Sequence, residues 1–270
     1  MTAERWTRTV RQQVGLGRLL PLGGPRDGAW IFERAAGAVL RRAVARAGPG
    51  VRLDGLRIAL AAPEDAGEPV VPPPPSALPP GSLRVTARFA ATAAEPLPAT
   101  ADRLRAVLSR AAAERIGLVV TEVDLEVTEL LDAGAGTAHP AAESGPPGSA
   151  VDGSADAPFE DRDDAPFEDR DDAPFEAPKS GGGSDEDRAA AAAFAVPGVS
   201  RLTGTLGRAV HLASSPRVPG GAALSGRHVR VDLAVGADHR ALDVARSVRA
   251  AVSAALPDRP TVAVLVTAVD

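Results

Sequence analysis

PGVRLDGL at residues 49–56 has an echo at 197–204, PGVSRLTG. The segments on either side recur in the same order. Upstream of Pro49, the apolar residues Phe32, Ala35, Ala36, Val39, Leu40, Ala43 and Ala47 share one stripe, with Arg34, Arg41, Arg42 and Arg46 off it. This spacing predicts a helix over 28–47. Pro49 and Gly50 end it, and VRLDGLRIAL reads as a strand pair or a bulged strand with Gly55 as the irregular point. A Pro-rich insert at 61–81 follows, with PPPP at 72–75 as a stiff loop between strands. In LRVTARF, Leu83, Val85, Ala87 and Phe89 alternate with Arg84, Thr86 and Arg88, which predicts a strand with one wet face. A second helix is expected from Thr100, as its N-cap, to Gly117. VVTEVDLEVTEL closes the unit with Val123, Leu125 and Val127 inward.

The second unit repeats the order. A short alanine-rich helix runs into Pro197-Gly198-Val199, and a β segment follows through RLTGTLGRAVHL. After the loop SSPRVPGGAALSG, HVRVDLAV alternates as LRVTARF does. A helix over 240–256 puts Val244, Ala245, Val248, Val252 and Ala255 on one side, and TVAVLVTAV ends the unit. That last strand is apolar on both faces, so both should be covered. The candidate covers are the N-terminal segment around Trp6 and Leu19–Leu22, the first unit, or another copy of the chain.

The fold class expected is α+β: two small α/β sandwich modules of one helix–strands–helix–strand order. The expected layout is a basic extension at 1–27, a module at 28–132, a disordered acidic linker at 133–188 and a module at 189–270. The linker contains three near-identical octads, DAPFEDRD, DAPFEDRD and DAPFEAPK, with Phe159, Phe167 and Phe175. Its Gly, Pro, Ser, Asp and Glu have little to bury, so ordering entropy is not offset. As a flexible coil of about 57 residues it would span roughly 40 Å. Deleting residues 156–179 is expected to leave the thermal unfolding of both modules almost unchanged; a large loss in a calorimetric scan would mean that the octads pack on the protein.

Composition narrows the function classes. The 270 residues include no cysteine, which excludes disulfides, thiolate metal sites and cysteine nucleophiles and fits a reducing compartment. No apolar run approaches the roughly 20 residues of a membrane span, and the start lacks the apolar core of a signal peptide. A cytoplasmic protein is expected. Net charge is −5 but uneven: residues 151–188 carry −10, residues 61–150 carry −6, residues 1–60 carry +7 and residues 189–270 carry +4.

The PGV joint, the glycines Gly204 and Gly207, the VRVDLAV strand, the helix DVARSVRAAVSAAL and the terminal VAVLVTAVD make residues 189–270 resemble the alkaline shock protein family. Residues 28–132 resemble it in order, with a longer insert. The whole chain is also similar to uncharacterised actinobacterial proteins bearing a nucleopolyhedrovirus-family label, through GLGRLLPLGGPRDGAW at 15–30. The alkaline shock resemblance implies a non-enzymatic, envelope-stress-related protein, some members being held near the membrane by a partner. It brings no catalytic residue.

The residues themselves name no catalytic, cofactor or metal site. His139, His211, His228 and His239 have no metal-ligand spacing and read as surface histidines. Glu122, Asp124 and Glu126 share a strand face that could hold a divalent cation, but Arg84 and Arg88 on the neighbouring strand favour cross-strand pairing. GTLG at 204–207 matches the GxxG of a KH nucleic-acid-binding loop, the alternative function, though glycine in a β context more often marks a turn. The expected work is therefore scaffolding or interaction, with a protein partner or self-association, contact with the inner membrane face as an option, and nucleic acid disfavoured. No cofactor is expected. The candidate interaction residues are Trp6, Arg8 and Arg11 in a basic, partly apolar N-terminus, Arg34, Arg41, Arg42 and Arg46 on the first helix, and the octad Phe159, Phe167 and Phe175.

Overall fold

Residues 17–131, 183–204, 208–214 and 227–270 are described by the computed structural model. Two short strands come first, β1 (Leu19–Pro21) and β2 (Ala29–Phe32). The first copy of the repeat follows: helix α1 (Glu33–Arg46), β3 (Val51–Leu60), β4 (Leu83–Thr92), helix α2 (Leu97–Ala111) and β5 (Val120–Leu131). The second is helix α3 (Asp185–Phe194), β6 (Val199–Leu202), β7 (Val210–Ser214), β8 (Arg227–Val235), helix α4 (Ala241–Ala255) and β9 (Thr261–Val269). The fold is α+β, with two sheets among the described residues.

Both sheets have one plan. β4 runs antiparallel to β3 and parallel to β5. β8 runs parallel to β9 and antiparallel to β6 and β7, which lie end to end along its other side. Parallel neighbours need a long crossover, and α2 and α4 supply it. The registers match residue on residue. Phe89 lies opposite Val127 and Leu233 opposite Val266, and immediately after each pair the parallel ladder skips one residue. Gly50 and Gly198 both have φ of 93°, and their carbonyls accept from Thr92 and Gly236 N–H at the same 2.9 Å. A side chain would be strained at that φ, so glycine is what lets each helix turn into its sheet.

The alternating strand is built as its sequence dictates: Leu83, Val85, Ala87 and Phe89 are buried, while Thr86 and Arg88 are exposed on the other face. Both faces of β9 are buried from Val262 to Val266, as its two apolar faces require. α4 and α1 both pack against it. Leu19–Pro21 extends that sheet at its edge.

Four boundaries differ from the sequence-based expectation. The helix expected over 28–47 begins at Glu33, because Ala29–Phe32 is a strand. It lies parallel to β9, with Ala29, Trp30 and Ile31 opposite Val264, Leu265 and Val266, and β1 pairs antiparallel to it. The second copy's sheet therefore runs β1-β2-β9-β8-β6 and contains residues from the start of the chain. Thr100 is not an N-cap; α2 starts at Leu97, and the buried Thr100 donates to Glu95 at 3.0 Å. The β segment after Pro197 is two strands, interrupted opposite Asp232. Residues 184–188, expected in the linker, begin α3: Ser184 and Asp187 form a reciprocal capping box, and Asp185 pairs with Arg227. Acids in a first helical turn complement its unsatisfied N–H groups, so their charge marks a helix start.

The Pro-rich insert is docked rather than merely stiff. Val71, Pro74 and Pro80 are buried, and the N–H groups of Leu78 and Val70 donate to the carbonyls of Leu19 and Pro25 at 2.8 and 3.0 Å. It thereby covers the outer side of β1. The outer side of β3 is capped by side chains at Ile58. Ile58 N–H donates to Glu33 Oε1 at 2.9 Å, Arg18 donates to the Ile58 carbonyl at 3.2 Å, and Arg18 and Glu33 lie 3.8 Å apart. Such capping blocks strand pairing at that point of the edge.

Candidate interaction surface and a buried polar cluster

The wet face of the first copy is a lattice of charge. In register across β4 and β5, Arg84 pairs with Glu122 at 2.6 Å and Asp124 at 3.5 Å, and Arg88 with Glu126 at 3.7 Å. Arg52 on β3 reaches Asp54 at 2.8 Å and Glu129 at 3.1 Å. The expected cross-strand pairing is thus present. Among the described residues no group of three His, Asp or Glu side chains could hold a metal ion. With exposed Arg57, opposite Thr86 on the same face, five carboxylates face four guanidiniums, so the face keeps a small acidic excess. These pairs are solvent-exposed and screened, and contribute little to stability. Their effect is to give this face its charge pattern.

β5 forms one edge of this sheet, pairing with β4 only among the described residues. It is twelve residues long, against a usual five or six. Its inward Val123 and Leu125 are only partly buried, and Val119, Val127 and Leu130 are 48, 41 and 57 % exposed. The equivalent strand of the second copy, β9, has that same side occupied by β2. Among the described residues, the last strand of one copy thus has a neighbour on both sides and that of the other on one side only.

On the matching face of the second copy, polar groups are buried. The register that aligns Phe89 with Leu233 aligns Arg88 with Asp232 and Thr86 with Arg230. Asp232 is fully buried, with Arg230 Nε donating to its Oδ1 at 3.0 Å. Its Oδ2, Arg230 Nη2 and His211 Nε2 have no hydrogen-bond partner in the protein. Burial pushes the Asp232 carboxyl up to about 7, against the opposing pull of Arg230. Desolvation, then the Arg230 charge, lowers the pKa of His211 and of His228. Neither is the surface histidine expected from its spacing; both are half-buried. Asp232 itself was not singled out by its sequence. The available signal was indirect: its parallel neighbour is Leu265, on a strand too apolar to leave a wet face.

The arginines of α1 divide. Arg34, Arg41 and Arg46 are exposed, whereas Arg42 is half-buried and donates to the Val269 carbonyl at the end of β9. Arg42 and Arg46 line a shallow groove with Arg115, Ala237 and Val269. Trp6, Arg8, Arg11, Phe159, Phe167 and Phe175 lie outside the described residues, as do the octads, His139 and residues 205–207 of the GTLG segment. No helix is long and apolar enough to cross a membrane among the described residues. Leu19, Leu20 and Leu22 are buried. Comparison with family models, with curated proteins and with solved structures found no match for this chain.

Proposed function

We propose that the chain is a non-enzymatic scaffold: two alkaline shock protein-like modules, one with its last strand covered by β2 and one presenting that edge to a protein partner. The carrying observation is the difference between two otherwise matching strands. Among the described residues β9 is flanked on both sides, while β5 has a strand on one side only, with partly exposed apolar residues and an acidic face. Edges of this length are ordinarily covered, broken or charged, and the molecule covers β1 with the Pro-rich insert and caps β3 at Ile58. The repeated helix–strands–helix–strand order supports the family reading. An envelope-stress role at the inner membrane face is part of the proposal, resting on the Arg8, Arg11 and Trp6 segment.

Native co-purification of the full chain tests the reading. A partner protein retained in near-equal amount, and lost on Glu122→Lys/Glu126→Lys, is the expected result. Recovery of nucleic acid in a salt-sensitive complex would instead support the KH-like alternative. Sedimentation of the full chain with anionic-lipid vesicles tests the membrane placement, and loss of that sedimentation in Trp6→Ala/Arg8→Ala/Arg11→Ala is expected.

A further inference from the structure

We infer that β5 accepts an extended, alternately basic and apolar protein segment as a fourth strand, lying parallel to it. This rests on the scaffold reading and specifies its partner's chemistry. Three observations converge.

The first is internal. β2 adds in parallel beside β9 at Val264–Val266. The matching registers place Leu125, Glu126 and Val127 at the same points of β5. The two sheets share strand order, parallel crossover and ladder irregularity, so a geometry that seats a parallel strand on one edge is present at the other. The second is charge. A strand beside β5 puts alternate side chains next to Glu122, Asp124 and Glu126, on a face whose carboxylates outnumber its guanidiniums. Cations belong there. The third is burial. The intervening side chains would meet Val123, Leu125 and Val127, which α2 leaves partly uncovered, and burial of those groups favours apolar residues. Main-chain hydrogen bonds then supply affinity and the alternation supplies selectivity, as in strand addition generally. A second copy pairing β5 to β5 is disfavoured, because two acidic faces would be continued side by side.

The test uses the purified full chain and an acetylated octapeptide of alternating arginine and valine, with a glutamate–valine octapeptide as control. Saturable binding of the arginine peptide alone is expected, weakened about tenfold or more in Glu122→Lys/Glu126→Lys. Two N-methylated versions separate strand addition from plain charge attraction. Only alternate N–H groups of an added strand face its host, so methylating one alternate set should abolish binding and methylating the other should spare it. A spin label at the peptide N-terminus should broaden amides near Val120 rather than near Leu131, as a parallel strand requires. Equal binding of the glutamate peptide, or indifference to both methylated sets, would overturn the inference. So would a dimer of the free chain in which the β5 amides are already protected from exchange. These outcomes leave the co-purification result standing, so strand addition and the scaffold role fail separately.

Discussion

Leu265→Asp is expected to abolish the cooperative unfolding transition of the chain, or to render it insoluble at neutral pH. Leu265 is 2 % exposed on β9, with Trp30 of β2 and Asp232 of β8 as its register neighbours. Removing a buried leucine side chain alone costs about 2–5 kcal/mol. The carboxylate adds a buried charge beside Asp232, its register neighbour on β8. Together these approach the whole stability of a domain, of the order of 5–15 kcal/mol. Thr267→Asp is a control one turn of the pleat further on. Thr267 is half-buried, donates to the Leu233 carbonyl at 3.1 Å and meets Thr203 Oγ1 at 2.9 Å. Its replacement should cost about 1–3 kcal/mol and leave a measurable transition. Denaturant unfolding followed by circular dichroism separates the two. A Leu265→Asp protein with unchanged stability and solubility would mean that this face of β9 meets water, contrary to the buried arrangement.

Asp232→Asn is expected to remove a pH dependence of stability that the wild type carries between about pH 4 and 7. The native carboxyl is raised to about 7 by burial, whereas an unfolded aspartate titrates near 3.9. Between those values the folded chain holds a proton that the unfolded chain has released. Stability therefore falls as pH rises through the window and levels off above it, by up to about 1.4 kcal/mol per pH unit. His211 and His228 act in the opposite direction. Their pKa values are lowered in the fold, so they take stability away as pH falls below about 6.5. Comparing variant with wild type at two pH values cancels that contribution to a first approximation. Asparagine keeps an acceptor for Arg230 Nε and stays neutral throughout. The stability difference, variant minus wild type, should become more favourable to the variant by a few kcal/mol between pH 4.5 and 8.5. A difference constant with pH would show that Asp232 is ionised in the fold at acidic pH, its charge met by Arg230.

Sequence periodicity carried most of the local structure. LRVTARF alternates, so its buried and wet faces follow from a period of two, whereas HVRVDLAV alternates in the same way and yet has Asp232 of its polar side buried. The glycines of the two PGV joints mark positive φ, and Gly117 ends its helix at φ 97°. Pairing of Arg84 and Arg88 with the acids of β5 was legible because charges on one face of neighbouring strands have few other partners. The sequence by itself thus determined the repeated order, its α+β class and the side that β4 turns to water. Tertiary structure decided which strands meet. AWIF has four apolar residues and no readable period, and its Phe32 continues the helical stripe of α1. Its strand geometry comes from β9, more than 200 residues away in sequence. Asp232 is buried for the same reason: neighbouring strands, and not its own alternation, set its surroundings. The contrast, among the described residues, between a β9 flanked on both sides and a β5 flanked on one is likewise a property of pairing, because the two strands hold the same place in the repeat and only the assembled sheet seats β2 beside one of them.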